Sequence, residues 1–170
     1  ILKLPKGNLS FRFNPDLKRQ LRVENGGSEE APLAVELALQ WLAAHQDEGG
    51  GWKPGKFQTQ CSRLRHPSCG GQAQYADTFD EAATALCLLS FMGDGHRPGD
   101  GGPYDAALTK ARQWLLSKQN ADGSFGPSQG AVAYSTSIAA LALHELAAVG
   151  ADVKAGAASL LALDYLSKAQ

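Results

Sequence analysis

The sequence predicts an all-α protein made of helical hairpins that repeat along the chain. Beyond position 30 it is rich in alanine and leucine and has no run of β-branched residues, which favours helices over strands. One phrase occurs twice, at 40–52 and 113–125: Gln-Trp-Leu, a second Gln six positions after the first, a glycine turn and an aromatic residue. A repeat of roughly 50 residues with two helices in each copy indicates stacked helical hairpins.

Residues 1–30 are predicted to be an arm or linker outside the repeat domain, which is assigned to residues 31–170. Within the arm, the stretch NLSFRFN alternates apolar and polar residues, a pattern typical of a short extended segment. The charged stretch that follows ends at Gly26-Gly27, which marks a break before the first helix.

Five helices are predicted in the repeat domain from their start and stop signals. Pro32 lies in the first turn of the first helix, where proline is tolerated. Thr78 and Glu81 have the spacing of a capping box at the start of the second helix, and Gly93 follows as a stop. Gly150 ends the fourth helix. The predicted helices span residues 31–46, 77–92, 104–119, 134–149 and 152–169.

The phrase begins a third time at the C-terminus, where Gln170 follows Tyr165 as Gln119 follows Trp114. About two and a half repeats are therefore predicted, and the chain is expected to be a fragment of a longer one. Hairpin repeats bury their apolar faces against neighbouring repeats. An incomplete stack is therefore expected to be marginally stable alone or to self-associate through its open edges.

The first copy carries a longer segment between its two helices than the second copy does. When TALCLL, which begins at Thr84, is aligned with AALALH, which begins at Ala139, the first segment exceeds the second by 18 residues. That excess contains Cys61 and Cys69, two of the three cysteines in the chain. The third, Cys87, lies in an apolar helical stretch and is predicted to be a core residue.

The repeated phrase resembles the QW motif of the squalene cyclase and protein prenyltransferase β-subunit superfamily, and most of all its bacterial prenyltransferase and squalene oxidase repeat proteins. The second copy has the motif's spacing throughout, with Phe125 in place of the last tryptophan, and the first copy lacks the leading basic residue. The resemblance implies an α/α toroid, here an incomplete ring, whose inner helices line an apolar hollow. The motif residues are expected to stabilise the repeats: Trp41, Gln46, Gly50, Trp52, Trp114, Gln119, Gly123, Phe125, Tyr165 and Gln170.

The same resemblance implies a strong general acid if the protein is a cyclase. Family cyclases carry an Asp-x-Asp-Asp cluster, and the nearest stretch here is ADTFDEA, with Asp77, Asp80 and Glu81. A helix start favours the charged form of these acids and opposes proton donation unless burial outweighs it. Phe79 and Thr78 also break the family pattern. Helix capping is therefore the favoured role, and catalysis is the alternative.

The long segment offers a candidate metal site or a candidate disulfide. Cys61, His66 and Cys69 have ligand types that zinc accepts, with His96, Asp77 or water as a fourth ligand. The spacing is not that of a standard zinc knuckle, and the zinc of prenyltransferase β-subunits, held by Asp, Cys and His, lies elsewhere in their ring. A Cys61–Cys69 disulfide and two free thiols are the other possibilities. Apart from zinc, no cofactor is expected.

The stretch CGGQ, which runs from Cys69 through Gly71 to Gln72, also resembles the Cys-Gly-Glu-Gln motif of the thioester domains in the complement and macroglobulin family. Those domains are α/α toroids as well. The glutamate is replaced by Gly71 here, and the position after a repeat phrase differs from the family's. His45 and His144 lie on helices and are expected to be exposed or hydrogen-bonded, with no catalytic role.

Composition excludes several classes of function. The net charge of −1 and the pI near 6.5 leave no basic surface for nucleic acid. Polar residues interrupt every apolar stretch within about ten positions, so no transmembrane segment is predicted. No signal peptide is predicted after Ile1. Localisation is left open, periplasmic or otherwise extracytoplasmic if Cys61 and Cys69 are bridged and cytoplasmic if they are not.

The sequence therefore favours a terpene cyclase- and prenyltransferase-like repeat domain that binds an apolar, isoprenoid-like ligand or a protein partner, without cyclase activity. The alternative is an isoprenoid-processing enzyme, either a cyclase that uses the acids or a zinc-dependent transferase. A thioester-bearing toroid domain is a third possibility. Whether the protein is an enzyme is left open, because fold alone does not define activity.

Overall fold

The computed structural model describes residues 9–63, 69–70, 78–127 and 131–169. Across these ranges the chain is helical and contains no strand, so the predicted all-α class is confirmed. A 3₁₀-helix at Leu9–Phe13 comes before the first α-helix. The α-helices are α1 Pro15–Glu24, α2 Ala31–Ala44, α3 Gln58–Arg63, α4 Asp80–Asp94, α5 Asp105–Ser117, α6 Val132–Gly150 and α7 Val153–Lys168.

The N-terminal arm is helical, so the predicted extended segment is wrong. Residues 9–13 form the 3₁₀-helix, and Asn14 caps α1 by accepting a 3.0 Å hydrogen bond from the Leu17 N–H at its side-chain oxygen. An asparagine followed by proline at the first helical position is a strong start signal. The arm also contacts the repeats, since Arg12 forms an ion pair with Glu145 of α6.

The start and the end of α4 also differ from the prediction. The cap position is Phe79, and no side chain caps the helix, so the Thr78–Glu81 capping box is not formed. The helix continues past Gly93 and stops at Gly95, whose φ of 99° is left-handed. Glycine adopts this conformation without steric cost, which makes it the terminator.

Two central helices organise the core. α6 packs against α4 and α7, and α4 also contacts α5, α2 and the 3₁₀-helix. The largest fully buried apolar side chains lie on α4, α5, α6 and the turn before α6: Phe91, Leu88, Met92, Leu108, Leu115, Leu143, Leu146 and Phe125. α6 is also long and apolar enough to cross a membrane, a criterion that buried core helices meet as well.

The glutamine of the repeated phrase makes the same contacts in both complete copies. Gln46 donates from Nε2 to the carbonyl of the glycine four residues on, and to Ala107 O on α5, both at 2.8 Å. Gln119 donates to the equivalent glycine carbonyl at 3.1 Å and to Ala158 O on α7 at 2.8 Å. Each glutamine thus joins its own turn to the first helix of the next repeat. Whether such repeats close into a ring stays a prediction.

The turn aromatics show that the predicted alignment of the second helices is wrong by one helical turn. The Trp52 N–H donates to Thr84 Oγ1 and the Phe125 N–H donates to Thr136 Oγ1, both at 2.9 Å. Thr84 therefore corresponds to Thr136 and not to Ala139. The aromatic and the threonine are 32 residues apart in the first copy and 11 in the second, so the first segment is longer by 21 residues.

Replacing Gln119 by alanine is expected to lower the free energy of unfolding by roughly 2–3 kcal/mol, because two part-buried carbonyls, Gly123 O in the turn and Ala158 O on α7, lose their donor. Urea unfolding followed by circular dichroism measures this change. Gln113 lies exposed on α5, the helix that precedes Gln119, so Gln113→Ala should change stability by less than about 0.5 kcal/mol. Equal effects of the two substitutions would contradict a structural role for the Gln119 amide.

The outer edge of α2 has no neighbouring repeat among the described residues. Ala38 is exposed on α2, whereas the corresponding Ala111 on α5 and Ala162 on α7 are buried. Leu33 and Leu37 are more than half exposed on the same helix. Self-association through this edge stays a prediction, which sedimentation would test.

Candidate metal centre and apolar pocket

An apolar pocket lies between the C-terminal half of α2, residues 52–57 and α4. Its volume is about 270 Å³. The lining is almost wholly apolar and includes Trp41, Leu42, Trp52, Phe57, Ala83 and Cys87. Two repeat residues that were expected to have structural roles, Trp41 and Trp52, thus line a cavity.

Trp52 is fixed in the pocket wall at both its backbone and its ring. Its indole N–H donates to Leu42 O at 2.7 Å, and its backbone N–H is held by Thr84. The ring lies 5.9 Å from that of Phe91 in the core. Buried tryptophan needs a partner for its N–H, and Leu42 supplies it.

Trp41 stands at the edge of the pocket with 44% of its surface exposed. Its ring stacks on that of His45 with centroids 4.0 Å apart and an interplanar angle of 19°. The Phe57 ring lies 6.1 Å away on the pocket wall. Trp41 and Phe57, together with Trp52, therefore present the aromatic surfaces that an apolar ligand would meet.

His45 lies just after the end of α2, where it lines the apolar pocket and contacts two cysteines. Its Nε2 lies 3.5 Å from Cys61 Sγ and 3.5 Å from Cys69 Sγ. The three ligand atoms all lie within 4.8 Å of one another, so these residues could hold a metal ion. Both cysteines are free thiols in the structure, and their pairing as a disulfide stays a prediction.

The tautomer of His45 follows from its other ring nitrogen. Nδ1 lies 2.7 Å from Trp41 O, and a carbonyl oxygen only accepts, so Nδ1 carries the proton. In the neutral imidazole, Nε2 then has a free lone pair 3.5 Å from each of the two sulfurs. In the absence of a metal, either thiol can donate to that lone pair.

The two thiols differ electrostatically. The Cys69 backbone N–H donates to Cys61 Sγ at 3.3 Å and lowers the pKa of the Cys61 thiol, against the opposing effect of burial. The hydrogen bond with Cys61 raises the pKa of Cys69. Burial alone raises the pKa of Cys87 to about 12, so this third thiol is inert near neutral pH.

The acids lie away from the apolar pocket. Asp80 and Glu81 are in the first turn of α4 and line a separate polar cleft of about 510 Å³ together with Lys118 and Gln119. Among the described residues, neither acid lines the apolar pocket. The predicted acid cluster and the predicted apolar site are therefore not brought together.

Several other sequence-based candidates fall elsewhere or outside the described residues. His66, Gln72, Asp77 and Gln170 lie outside them, so the three-residue metal set with His66 and the thioester pair are not described. His96 contacts Tyr104 edge-on at 4.8 Å and lies 3.5 Å from Asp94, away from the cysteines. His144 is exposed.

His45 is the site residue that the sequence interpretation missed. It was expected to be hydrogen-bonded, which it is, but it also joins Cys61 and Cys69. A signal was available, because the second repeat has Lys118 at the corresponding position, four residues after its tryptophan. Lys118 lies over Trp114 at 5.2 Å, where His45 stacks on Trp41.

These features define an all-α protein in which two cysteines and one histidine cluster beside an apolar pocket. No family model, curated protein or solved structure matches the chain.

Proposed function

We propose that this chain is a binding domain that takes a small apolar, isoprenoid-like ligand into the pocket between α2 and α4. The observation that carries the proposal is the cavity of about 270 Å³ with its aromatic wall. Apolar concave sites with a few polar groups are the usual form of small-molecule sites. The volume is slightly below the range of about 300–1,000 Å³ typical of such sites, so the ligand is small.

The arrangement of charged groups favours binding over cyclisation. A cyclase places a proton donor where the alkene or epoxide reacts, but Asp80 and Glu81 line the other cleft. Lys53 lines both cavities, and its amine is paired with Asp47 at 2.9 Å. The apolar pocket thus offers contact area and aromatic faces, which support retention of a ligand more than chemistry on it.

A pocket-filling substitution tests the proposal. The chain is titrated with a monoterpene alcohol, geraniol, and binding is followed by calorimetry and tryptophan fluorescence. Ala83→Leu places three extra carbons in the pocket and is expected to weaken binding at least tenfold, equivalent to about 1.4 kcal/mol. Alanine-to-leucine changes keep helix propensity, so the fold should persist.

The matched control is Ala106→Leu, an exposed position on α5, which should leave the affinity unchanged. Equal affinities of wild type and Ala83→Leu would place the ligand outside the pocket. No binding of either the alcohol or a small aromatic hydrocarbon by wild type would refute an apolar-ligand function.

A further inference from the structure

The ligand atoms of His45, Cys61 and Cys69 have the spacing of a tetrahedral zinc site. Zinc lies about 2.3 Å from thiolate sulfur and about 2.0–2.1 Å from imidazole nitrogen, so at tetrahedral angles those atoms are about 3.5 Å apart. The two observed distances from His45 Nε2 to the sulfurs are both 3.5 Å. Two sulfurs on one such ion would be about 3.8 Å apart, and here they lie within 4.8 Å.

The surroundings orient these groups as the outer shell of a metal site does. Ligating histidines commonly donate their other N–H to a carbonyl, which fixes the tautomer and the ring plane, and Trp41 O accepts from His45 here. The Trp41 ring also stacks on the imidazole, with centroids 4.0 Å apart. One tryptophan thus orients His45 through both its carbonyl and its ring.

Comparison of the two repeats shows that the three residues are not needed for the hairpin fold. The second repeat has Lys118 at the position of His45, and its inter-helix segment is shorter by 21 residues. Its turn nevertheless makes the same glutamine and threonine contacts. All three candidate ligands therefore lie where the first repeat departs from the second, which favours a role beyond support of the fold.

We propose that His45 Nε2, Cys61 Sγ and Cys69 Sγ bind one Zn²⁺ ion. Two thiolates and one imidazole form a ligand set that binds Zn²⁺ in preference to the harder divalent cations. Binding to the two protonated thiols releases two protons, so the site carries two negative charges from sulfur against the two positive charges of the ion. The ion would join α3 and the segment at Cys69 to the end of α2.

This inference does not depend on the proposed apolar ligand. Zinc binding is measured on the complete chain after reduction of its thiols, by metal analysis and by titration with Co²⁺. Cobalt bound by thiolates in a tetrahedral site gives an intense charge-transfer band and visible d–d bands, and added Zn²⁺ should remove both. One zinc per chain is the expected stoichiometry.

Variants connect the metal to the named residues. Cys61→Ser and Cys69→Ser are each expected to weaken metal binding more than about 100-fold, beyond the 10–100-fold cost of losing an outer-shell partner. His45→Lys installs the residue of the second repeat and should have a similar effect. His144→Lys makes the same change at an exposed histidine, and Cys87→Ala removes the third thiol. Both controls should retain one zinc per chain.

Because some variants could fold poorly, a second measurement tests the site in the wild-type chain. Bound zinc should protect Cys61 and Cys69 of the wild-type chain from alkylation, as read by mass spectrometry at each cysteine. A reduced, helical wild-type chain that binds no zinc would overturn the proposal, as would full binding by Cys61→Ser or His45→Lys. A chain with a Cys61–Cys69 disulfide that binds zinc only after the disulfide is reduced would support the proposal.

Discussion

Replacing Gly123 by alanine is expected to destabilise the protein by roughly 3–5 kcal/mol, near the upper end of single-residue effects. Gly123 has a φ of 90°, which L-residues rarely adopt. An added Cβ would also lie 2.8 Å from the carbonyl carbon of Leu161 on α7, and closer still to its oxygen. Backbone atoms cannot rotate away, so the turn must separate from α7 and weaken the Gln119 contacts.

A second glycine, Gly99, separates the cost of backbone strain from the cost of the close contact with α7. Gly99 is also left-handed, with a φ of 81°, but an added Cβ there would have no atom within 4 Å. Gly99→Ala should therefore cost only about 1 kcal/mol, from backbone strain alone. Thermal and urea unfolding of both variants give the comparison. A cost for Gly123→Ala no greater than for Gly99→Ala would show that the turn does not pack closely on α7.

Truncating Phe91 to alanine is expected to cost about 3–5 kcal/mol, because a fully buried aromatic leaves a cavity between two packed rings. The Phe91 ring lies 4.9 Å from that of Tyr104 and 5.9 Å from that of Trp52. Its loss should loosen Trp52 in the wall of the apolar pocket as well. The free energy of unfolding and the tryptophan fluorescence are the two readouts.

Leu86 provides the control on the same helix, since 44% of its surface is exposed. Leu86→Ala should cost less than about 1 kcal/mol, as surface truncations do. A loss of stability at Phe91 as small as at Leu86 would contradict the central position of α4. An unchanged fluorescence spectrum in Phe91→Ala would mean that the core does not set the position of Trp52.

The helical class and the main helices were predictable from local patterns. Alanine- and leucine-rich stretches between glycine clusters predicted α2, α4, α5, α6 and α7, because propensity and chain terminators act within a few residues. The arm was misread because alternation of polar and apolar residues over so short a stretch does not distinguish a strand from a single 3₁₀ turn. Residues 9–13 form a 3₁₀-helix, and the Asn14-Pro15 start signal of α1 follows it.

Contacts between residues distant in sequence set the register of the second helices and the position of the candidate site, which local sequence patterns could not predict. The register of the second helices depends on threonine hydroxyls that accept from the Trp52 and Phe125 N–H groups, and a shift by one helical turn leaves an apolar pattern almost unchanged. The candidate site depends on distance in the same way. His45 meets Cys61 and Cys69 only because α3 and residue 69 lie beside the end of α2, and local sequence does not encode contacts between residues that far apart in the chain.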